Sequence, residues 1–288
     1  MSVPAAFDYH RAATVDEAIA LLQQYGDEAK VLAGGHSLIP AMKLRLSQPG
    51  HLVDIARIGG LSYIREENGK VVIGAMTTYS TLERSDLLRR QLPILSETAA
   101  LIADQQVRNR GTIGGSMAHA DPAADMPGVI LALRGEIVVQ GPNGKRTISA
   151  DDFITGTFTT ALASNEIVLE LRFALPSAKT GGAYEKLANK ASHYAVAGCA
   201  AVITLDNDGT CSSAGVAITG SAMETARAKA VEAALVGKKL DEASIAEAAS
   251  HATDGLEMVA DIHGSKEYRR QMTIVVTRRA ITQALERA

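Results

Sequence analysis

Two of the sequence's pairs of adjacent glycines, each followed within two residues by a serine, are residues whose types could bind an anion. One pair lies in Ala33–Ser37 and the other in Thr112–Ser116. Because glycine lacks a Cβ, backbone N–H groups in such a segment can approach an anion closely and surround it. The serine hydroxyl adds a further donor. Two such segments could hold the two phosphates of a pyrophosphate from opposite sides.

These segments match neither of the common nucleotide-binding fingerprints. The sequence has no G-x-x-x-x-G-K-[ST] motif and no G-x-G-x-x-G motif after a predicted strand, which argues against P-loop and Rossmann folds. A single Gly-Gly pair is more often a tight turn than a phosphate site. The anion-site interpretation therefore depends on both pairs together and on the residues around them.

Ionisable residues near these segments allow more than one role. His36 is either a packing side chain or a phosphate-facing one. His119 and Asp121 are of metal-ligand type, but no other ligand cluster is near them in the sequence, so a solvated histidine is favoured. Asp125 could form an acid/base pair with Asp121 or be a helix N-terminal carboxylate. Arg108 could pair with a pyrophosphate or lie at the surface. We predict no catalytic residue and no metal site in this chain.

Composition excludes several classes of protein. The 288 residues suggest about two domains, and 47% of them are hydrophobic. A net charge of −3, scattered lysines and arginines, and the absence of Trp argue against a nucleic-acid surface. No apolar run approaches the ~18 residues of a membrane span, and no signal peptide is recognisable. Cys199 and Cys211 are therefore expected to be reduced thiols in the cytoplasm, too few to hold an iron–sulfur cluster.

The elements that must position the first segment alternate between helix and strand. A capping box at Thr14–Glu17 begins a helix that Gly26 ends. Strands are predicted at Lys30–Ala33, His51–Ile55 and Val71–Gly74. A second capping box at Ser80–Glu83 predicts a helix toward Leu88, and a helix from Pro93 reaches Ile102.

The remaining elements lead from the second segment to the C-terminus. The pattern predicts a helix over 122–133, a hairpin with its turn at Gly141–Gly144, and a strand over Glu166–Phe173. A linker is predicted over 176–182. It is followed by strands near 183–187, 196–205 and 215–219 and by three alanine-rich helices, the last over 265–287. This order is that of an α+β protein with a domain boundary near residue 177.

Several blocks of this sequence closely resemble the FAD-binding medium subunit of molybdenum hydroxylases, nearest to the branch containing aerobic carbon monoxide dehydrogenases. The resemblance covers essentially the whole chain. It is carried by Leu32–Pro40, Gly111–Ser116, Asp121–Pro127, Phe7–Arg11, His51–Asp54, Ile73–Thr77 and Tyr184–Leu187. In one departure, the second segment usually ends Gly-Gly-Asn, whereas Ser116 stands here, and a serine lacks the second donor of an amide.

The resemblance implies a vanillyl-alcohol-oxidase-like (PCMH-type) FAD-binding fold. It places two α/β subdomains at about 1–57 and 58–177, followed over 178–288 by a C-terminal α+β domain with a small antiparallel sheet and helices. It further implies that FAD contacts fall on Ala33, Gly34, Gly35, His36, Ser37, Thr112, Ile113, Gly114, Gly115, Ser116, Asp125, Lys186 and Tyr194. Lys186 and Tyr194 are expected close to the isoalloxazine ring.

The implied function is electron relay. Partner chains would carry 2Fe–2S clusters in a small subunit and the molybdenum cofactor in a large subunit, assembled as a dimer of heterotrimers in the cytoplasm or at the inner face of the membrane. The substrate could be carbon monoxide, an N-heterocycle or an aldehyde. Two alternatives stay open on the residues alone. One is a stand-alone flavin reductase of the UDP-N-acetylenolpyruvoylglucosamine reductase type, and the other is a nucleotide-binding scaffold without redox turnover.

Overall fold

The computed structural model describes residues 3–288, so the first two residues of the predicted domain 1–177 lie outside the described residues. The strands are β1 Asp8–Arg11, β2 Ala29–Leu32, β3 His51–Asp54, β4 Ile64–Glu67, β5 Lys70–Gly74, β6 Glu136–Gly141, β7 Gly144–Ser149, β8 Ile154–Gly156, β9 Thr159–Thr160, β10 Ile167–Ala174, β11 Thr180–Ala188, β12 Ala195–Leu205, β13 Cys211–Thr219 and β14 Ala226–Arg227.

The helices are α1 Val15–Tyr25, α2 Leu38–Lys43, α3 Tyr79–Arg84, α4 Asp86–Gln91, α5 Pro93–Leu101, α6 Gln105–Arg108, α7 Ile113–His119, α8 Asp125–Ala132, α9 Ala150–Phe153, α10 Lys229–Leu235, α11 Glu242–Ser250 and α12 Lys266–Glu286. Within residues 3–288, no helix has both the length and the apolar character needed to cross a membrane.

A three-stranded parallel sheet in the order β1-β3-β2 forms the N-terminal part. Helix α1 follows β1 and buries Ala18, Ile19 and Leu22. Its predicted start is confirmed, because Oγ1 of Thr14 accepts the N–H of Glu17 at 3.1 Å. Strand β2 ends at Leu32, directly before the segment Ala33–Ser37 that contains the first glycine pair. This sheet therefore fixes the position of that segment.

The middle part is built on a five-stranded antiparallel sheet in the order β4-β5-β10-β6-β7. The predicted hairpin at Gly141–Gly144 is confirmed by the pairing of β6 with β7. The prediction of one helix from Ser80 toward Leu88 is wrong. Two short helices are present instead, because Thr78 caps α3 and the hydroxyl of Ser85 ends that helix by capping α4.

The C-terminal part is a four-stranded antiparallel sheet, β11-β12-β13-β14, with helices against both faces. Alternate residues of the central strands face opposite ways: Ala200 and Ala217 belong to the core that contains α8, whereas Cys199 and Ile218 face α12. Helix α8 approaches so closely that a Cβ on Gly215 would lie 2.1 Å from the carbonyl oxygen of Ala132. The middle and C-terminal parts therefore share one hydrophobic core.

Several predicted boundaries differ from the structure, among them that of β13, which begins at Cys211 rather than near residue 215. Strand β11 begins at Thr180, so the last three residues of the predicted linker 176–182 are already in the sheet. Helix α8 begins at Asp125 rather than near residue 122. The reason is local, because the carboxylate of Asp121 accepts the N–H of Ala123 at 2.9 Å and holds the preceding residues in a turn.

The long C-terminal helix offers a test of the fold. Oγ of Ser265 accepts the N–H of Tyr268 at 3.2 Å and caps α12. We expect Ser265→Ala to lower the free energy of unfolding by about 1 kcal/mol, because an N-terminal amide loses its acceptor. Urea denaturation measures the change, and Ser265→Asp, which keeps an acceptor, is the control. Equal stability of the alanine variant and the wild type would contradict the capping role.

Candidate functional site

The first glycine pair lies in the turn between β2 and α2. Gly34 packs directly against the backbone that precedes the second pair, since a Cβ on Gly34 would lie 2.0 Å from the carbonyl oxygen of Arg110. Gly35 has a φ of +77°, a conformation that favours glycine. The exposed ring of His36 lies with Nδ1 3.1 Å from the carbonyl oxygen of Gly34, which braces the turn.

The second glycine pair lies in the first turn of helix α7 and not in a loop. Thr112 caps this helix, and its Oγ1 accepts the N–H of Gly115 at 3.1 Å. A Cβ on Gly115 would lie 3.8 Å from the Cβ of Ala33, so the two segments that contain the glycine pairs are in contact. Ala33–Ser37 and Thr112–Ser116, called here the paired segments, therefore form one surface from positions far apart in the sequence.

The two segments offer different donors. Among residues 3–288, no acceptor is present for the backbone N–H groups of Gly34–Ser37. The N–H groups of residues 113–116, by contrast, donate at 2.9–3.1 Å to Thr77, Ala75 or Thr112. The first segment thus carries the free amides, and the second contributes close packing and the Ser116 side chain. A run of free amides beside a surface without side chains fits a phosphate group.

A buried ion pair lies at the start of α8. Nζ of Lys186 is 2.6 Å from Oδ2 of Asp125, and the two side chains are only 6% and 5% exposed. The hydroxyl of Tyr184 donates to Oδ1 of Asp125 at 2.6 Å and lies 3.1 Å from Oγ1 of Thr219. Burial raises the pKa of Asp125, and Lys186 and Tyr184 oppose that rise. The pair joins the middle part to the C-terminal sheet.

The ammonium group of Lys186 has three acceptors within the protein. Besides Asp125, it donates to the carbonyl oxygens of Leu101 at 2.9 Å and His193 at 2.7 Å. These bonds use all three of its N–H groups. Through these bonds Lys186 holds the end of α5, the start of α8 and the β11–β12 hairpin together.

Tyr194 lies on the hairpin between β11 and β12 and is 42% exposed. Partial burial and the nearby carboxylates of Asp121 and Asp125 raise its pKa to about 12, so the phenol stays protonated at neutral pH. Tyr194 is available as an uncharged aromatic surface.

Tyr79, which the sequence reasoning missed, connects the two halves of the site. Its ring is buried, and burial raises its pKa, while the neighbouring Ser116 side chain opposes that rise. The negative charge of Asp125 also raises the pKa of Tyr79. The structure thus brings all of the predicted cofactor residues into one region, although their contact with FAD stays a prediction. A lone tyrosine after Thr78 gives no sequence signal for such a place.

The sequence left Arg108 as either a partner of a pyrophosphate or a surface charge, and in the structure its side chain is bound by other parts of the protein. Its guanidinium lies 3.0 Å from Glu83 and donates to the carbonyl oxygens of Ile102 and Ala103 at 3.1 and 3.0 Å. Ala103 has a φ of +43°, so this turn is strained. Arg108 therefore fixes the turn after α5, the same turn that Lys186 binds at Leu101.

The described residues contain no cluster of three metal-ligating side chains. Cys199 and Cys211 are buried and unpaired. Burial raises the pKa of the Cys199 thiol to about 12 and also raises that of Cys211, so neither is a reactive thiolate at neutral pH.

Two protein families match consecutive parts of the chain. The family described as "FAD binding domain in molybdopterin dehydrogenase" matches residues 5–177, and "CO dehydrogenase flavoprotein C-terminal domain" matches residues 182–284. The first match alone covers more than half of the chain and contains both paired segments.

Individual proteins are similar over the full length. The carbon monoxide dehydrogenase medium chain of Hydrogenophaga pseudoflava is 44% identical over 285 residues, 99% of each chain. The 6-hydroxypseudooxynicotine dehydrogenase complex subunit alpha of Paenarthrobacter nicotinovorans is 39% identical, covering 99% of this chain and 96% of its own. A chain in a solved structure of carbon monoxide dehydrogenase from Hydrogenophaga pseudoflava, which lacks the Mo-pyranopterin moiety, superposes with a TM-score of 0.96 at 47% identity and 99% coverage of both.

These similarities favour the electron-transfer subunit over the stand-alone reductase and the scaffold without redox turnover. They also account for the paired segments, which lie inside the matched FAD-binding domain. The chain belongs to the family of FAD-binding medium subunits of molybdenum hydroxylases.

Proposed function

We propose that this chain relays electrons from the iron–sulfur clusters of a small partner subunit, through its FAD, to an external acceptor, within a complex that oxidises carbon monoxide. The observation that carries the proposal is the run of free amides at Gly34–Ser37, packed against the second segment. These amides suit the pyrophosphate of FAD.

Each group of the site has a role in this proposal. The amides of the first segment bind the pyrophosphate, with the hydroxyl of Ser116 as a further donor. Asp125, Lys186 and Tyr194 lie toward the isoalloxazine ring. Bound FAD supplies two-electron redox chemistry. The chain's own residues hold it, exclude water from the Lys186–Asp125 pair, and keep a positive charge close to a ring that gains negative charge on reduction.

The relatives support the proposed assembly and substrate. Two relatives are called medium chain and complex subunit alpha, which supports partner subunits for this chain as well. We assign the molybdenum cofactor to a large subunit, the 2Fe–2S clusters to a small one, and two such heterotrimers to the complex. The complex works in the cytoplasm or at the inner face of the membrane. Carbon monoxide is preferred over an N-heterocycle because the relative named for it has the higher identity, 44% against 39%.

Anaerobic mixing tests the relay. We expect the isolated, FAD-loaded chain to keep its flavin absorbance when carbon monoxide is added, because its two cysteines cannot ligate the clusters that deliver electrons. Adding the small and large subunits should let carbon monoxide bleach the flavin. Dithionite, which reduces flavins directly, is the control for a competent FAD.

Two outcomes separate the parts of the proposal. Rapid bleaching of the lone chain by carbon monoxide would show a catalytic site in this chain, and the relay would be wrong. Bleaching of the complete complex by an N-heterocycle or an aldehyde, with no response to carbon monoxide, would leave the relay intact and replace the substrate.

A further inference from the structure

Tyr194 stands at the end of an exposed turn that joins β11 to β12. Residues 190–194, called here the hairpin tip, are all exposed, so burial of side chains does not fix the shape of the tip. A segment with few buried apolar contacts opens locally at a small cost in free energy. The position of the Tyr194 phenol therefore depends on the hydrogen bonds that hold the tip.

Asn189, the residue before the tip, makes most of those hydrogen bonds. Its Oδ1 accepts the N–H of Ala191 at 2.8 Å and that of Ser192 at 3.1 Å. Its carbonyl oxygen accepts the N–H of His193 at 2.8 Å, and its own N–H donates to the carbonyl oxygen of Tyr194 at 2.8 Å. An asparagine side chain that bonds the backbone ahead of it stabilises a turn. Asn189 thus closes the tip into one turn that ends at Tyr194.

The turn also fixes which way the side-chain amide of Asn189 points. Because Oδ1 faces two backbone N–H groups, Nδ2 must point out of the turn. There it lies 3.1 Å from Nδ1 and 3.2 Å from Nε2 of His263. An amide nitrogen only donates, so the ring nitrogen that carries no hydrogen accepts from it. This contact joins the hairpin to the segment that precedes α12.

The segment that carries His263 is held from a buried point. The N–H of His263 donates to Oδ1 of Asp261 at 2.8 Å, and Oδ2 of the same carboxylate lies 2.6 Å from the guanidinium of Arg269. The side chain of Arg269 is only 4% exposed and donates to the carbonyl oxygens of Val196 and Gly220 at 2.7 and 2.6 Å. Arg269 therefore fixes both the start of β12 and the segment with His263, so the imidazole is a firm support for the tip.

We propose that Asn189 and His263 are positioning residues for Tyr194, and that the hydrogen bond between them holds the Tyr194 phenol against the isoalloxazine ring of bound FAD. The inference rests on the proposed function, which places Tyr194 toward that ring. With the tip closed, an uncharged aromatic group covers the ring. With the tip open, water reaches that side of the ring. The hydrogen bond to His263 thus sets the fraction of chains in which the ring is covered.

The fluorescence decay of the FAD-loaded chain measures that fraction. A phenol in contact with an excited flavin quenches its emission by transient electron transfer, after which the electron returns, whereas a phenyl ring does not quench in this way. We expect the wild type to show a dominant short-lived component from the closed tip and a minor long-lived component from the open tip. Tyr194→Phe should move amplitude from the short-lived to the long-lived component.

Substitutions of His263 test its role, and its exposure makes them compatible with folding. We expect His263→Ala to raise the ratio of long-lived to short-lived amplitude about 3- to 10-fold, because one hydrogen bond of the closed tip is lost. His263→Gln, whose amide oxygen can accept from Asn189, should restore the ratio to near the wild-type value. His251→Ala, at an exposed histidine that contacts Asp254, is the matched control and should leave the ratio unchanged.

Hydrogen exchange of the FAD-free chain tests the hydrogen bond without the cofactor. The amides of residues 191–194 should exchange about 3- to 10-fold faster in His263→Ala than in His263→Gln or His251→Ala. Equal exchange in the three variants would overturn the inference, and so would an unchanged amplitude ratio in His263→Ala or an unchanged decay in Tyr194→Phe. A wild-type chain that binds no FAD would instead contradict the proposed function itself.

Discussion

Replacing Gly34 with alanine is expected to lower the affinity for FAD at least 100-fold. The added Cβ would lie 2.0 Å from the carbonyl oxygen of Arg110, a backbone atom that cannot turn aside as a side chain can. The paired segments must then separate, and the amides of Gly34–Ser37 lose their common direction. The free energy of unfolding should fall by about 1–3 kcal/mol, typical of an overpacked contact. FAD content of the purified protein and dialysis against FAD measure the effect.

Gly59→Ala is the matched control, because a Cβ there meets nothing within 4 Å and the backbone is not left-handed. Circular dichroism identifies the folded fraction, so that FAD is counted per folded chain. Gly115→Val is a second variant, since its Cβ would lie 2.7 Å from Oγ1 of Thr112, the atom that caps α7. A folded Gly34→Ala chain with wild-type FAD content would remove the paired segments as the pyrophosphate site.

The position of the glycine pairs was predictable, whereas the direction of their amides was not. Glycine marks a place where backbone must approach something closely, and both pairs show such a contact. The inward hydrogen bonds of Ile113 and Gly114 depend on the carbonyl groups of Thr77 and Ala75, which lie on a distant part of the chain. A local sequence pattern therefore holds no information about which of the two paired segments keeps its backbone N–H groups free.

The same distinction applies to the elements of the fold. The helix after Thr14 and the hairpin at Gly141–Gly144 follow from short-range capping and turn chemistry, and both are confirmed. The helix predicted from Ser80 fails because Ser85 competes as a second cap a few residues later. Capping residues that follow each other closely leave the choice between them to packing against the core.

The ion pair of Lys186 could not be derived from spacing either. Its three acceptors come from the end of α5, the start of α8 and the β11–β12 hairpin, and none is a sequence neighbour on its own strand. The resemblance to the family implied a separate cofactor contact for each of Lys186 and Asp125. Their mutual contact at 2.6 Å is a finding of the structure, and it changes what a substitution at either residue will do.

Lys186→Met is expected to lower the free energy of unfolding by about 3–5 kcal/mol, because it leaves a buried carboxylate without its counter-charge. Lys186→Met combined with Asp125→Asn should recover most of that loss, since neither charge is then buried alone. Urea denaturation at neutral pH measures both. Lys186→Arg is the control that keeps the charge. A stable single variant would show that water reaches Asp125 and that the pair is not desolvated.

The loss should depend on pH in a defined direction. Burial already raises the pKa of Asp125, and removing Lys186 raises it further. The folded variant then binds a proton more tightly than the unfolded chain, whose aspartate has a pKa of about 3.9. Because the wild-type pKa is itself raised, the destabilisation relative to the wild type grows as the pH rises from the wild-type pKa of Asp125 to the higher pKa in the variant, and is complete above it. A loss that is constant from pH 4 to pH 8 would contradict this origin.

The flavin potential separates the structural role of Lys186 from its electrostatic one. In the FAD-loaded chain, Lys186→Met should lower the midpoint potential, because a nearby cation stabilises the anionic reduced flavin. Adding Asp125→Asn removes the opposite charge 2.6 Å away, so the potential should return toward the wild-type value together with the stability. Spectroelectrochemical titration of the three proteins decides the point. Recovery of stability with no change of potential in any of them would mean that Lys186 holds the fold together far from the ring, and the flavin-proximal role would have to be given up.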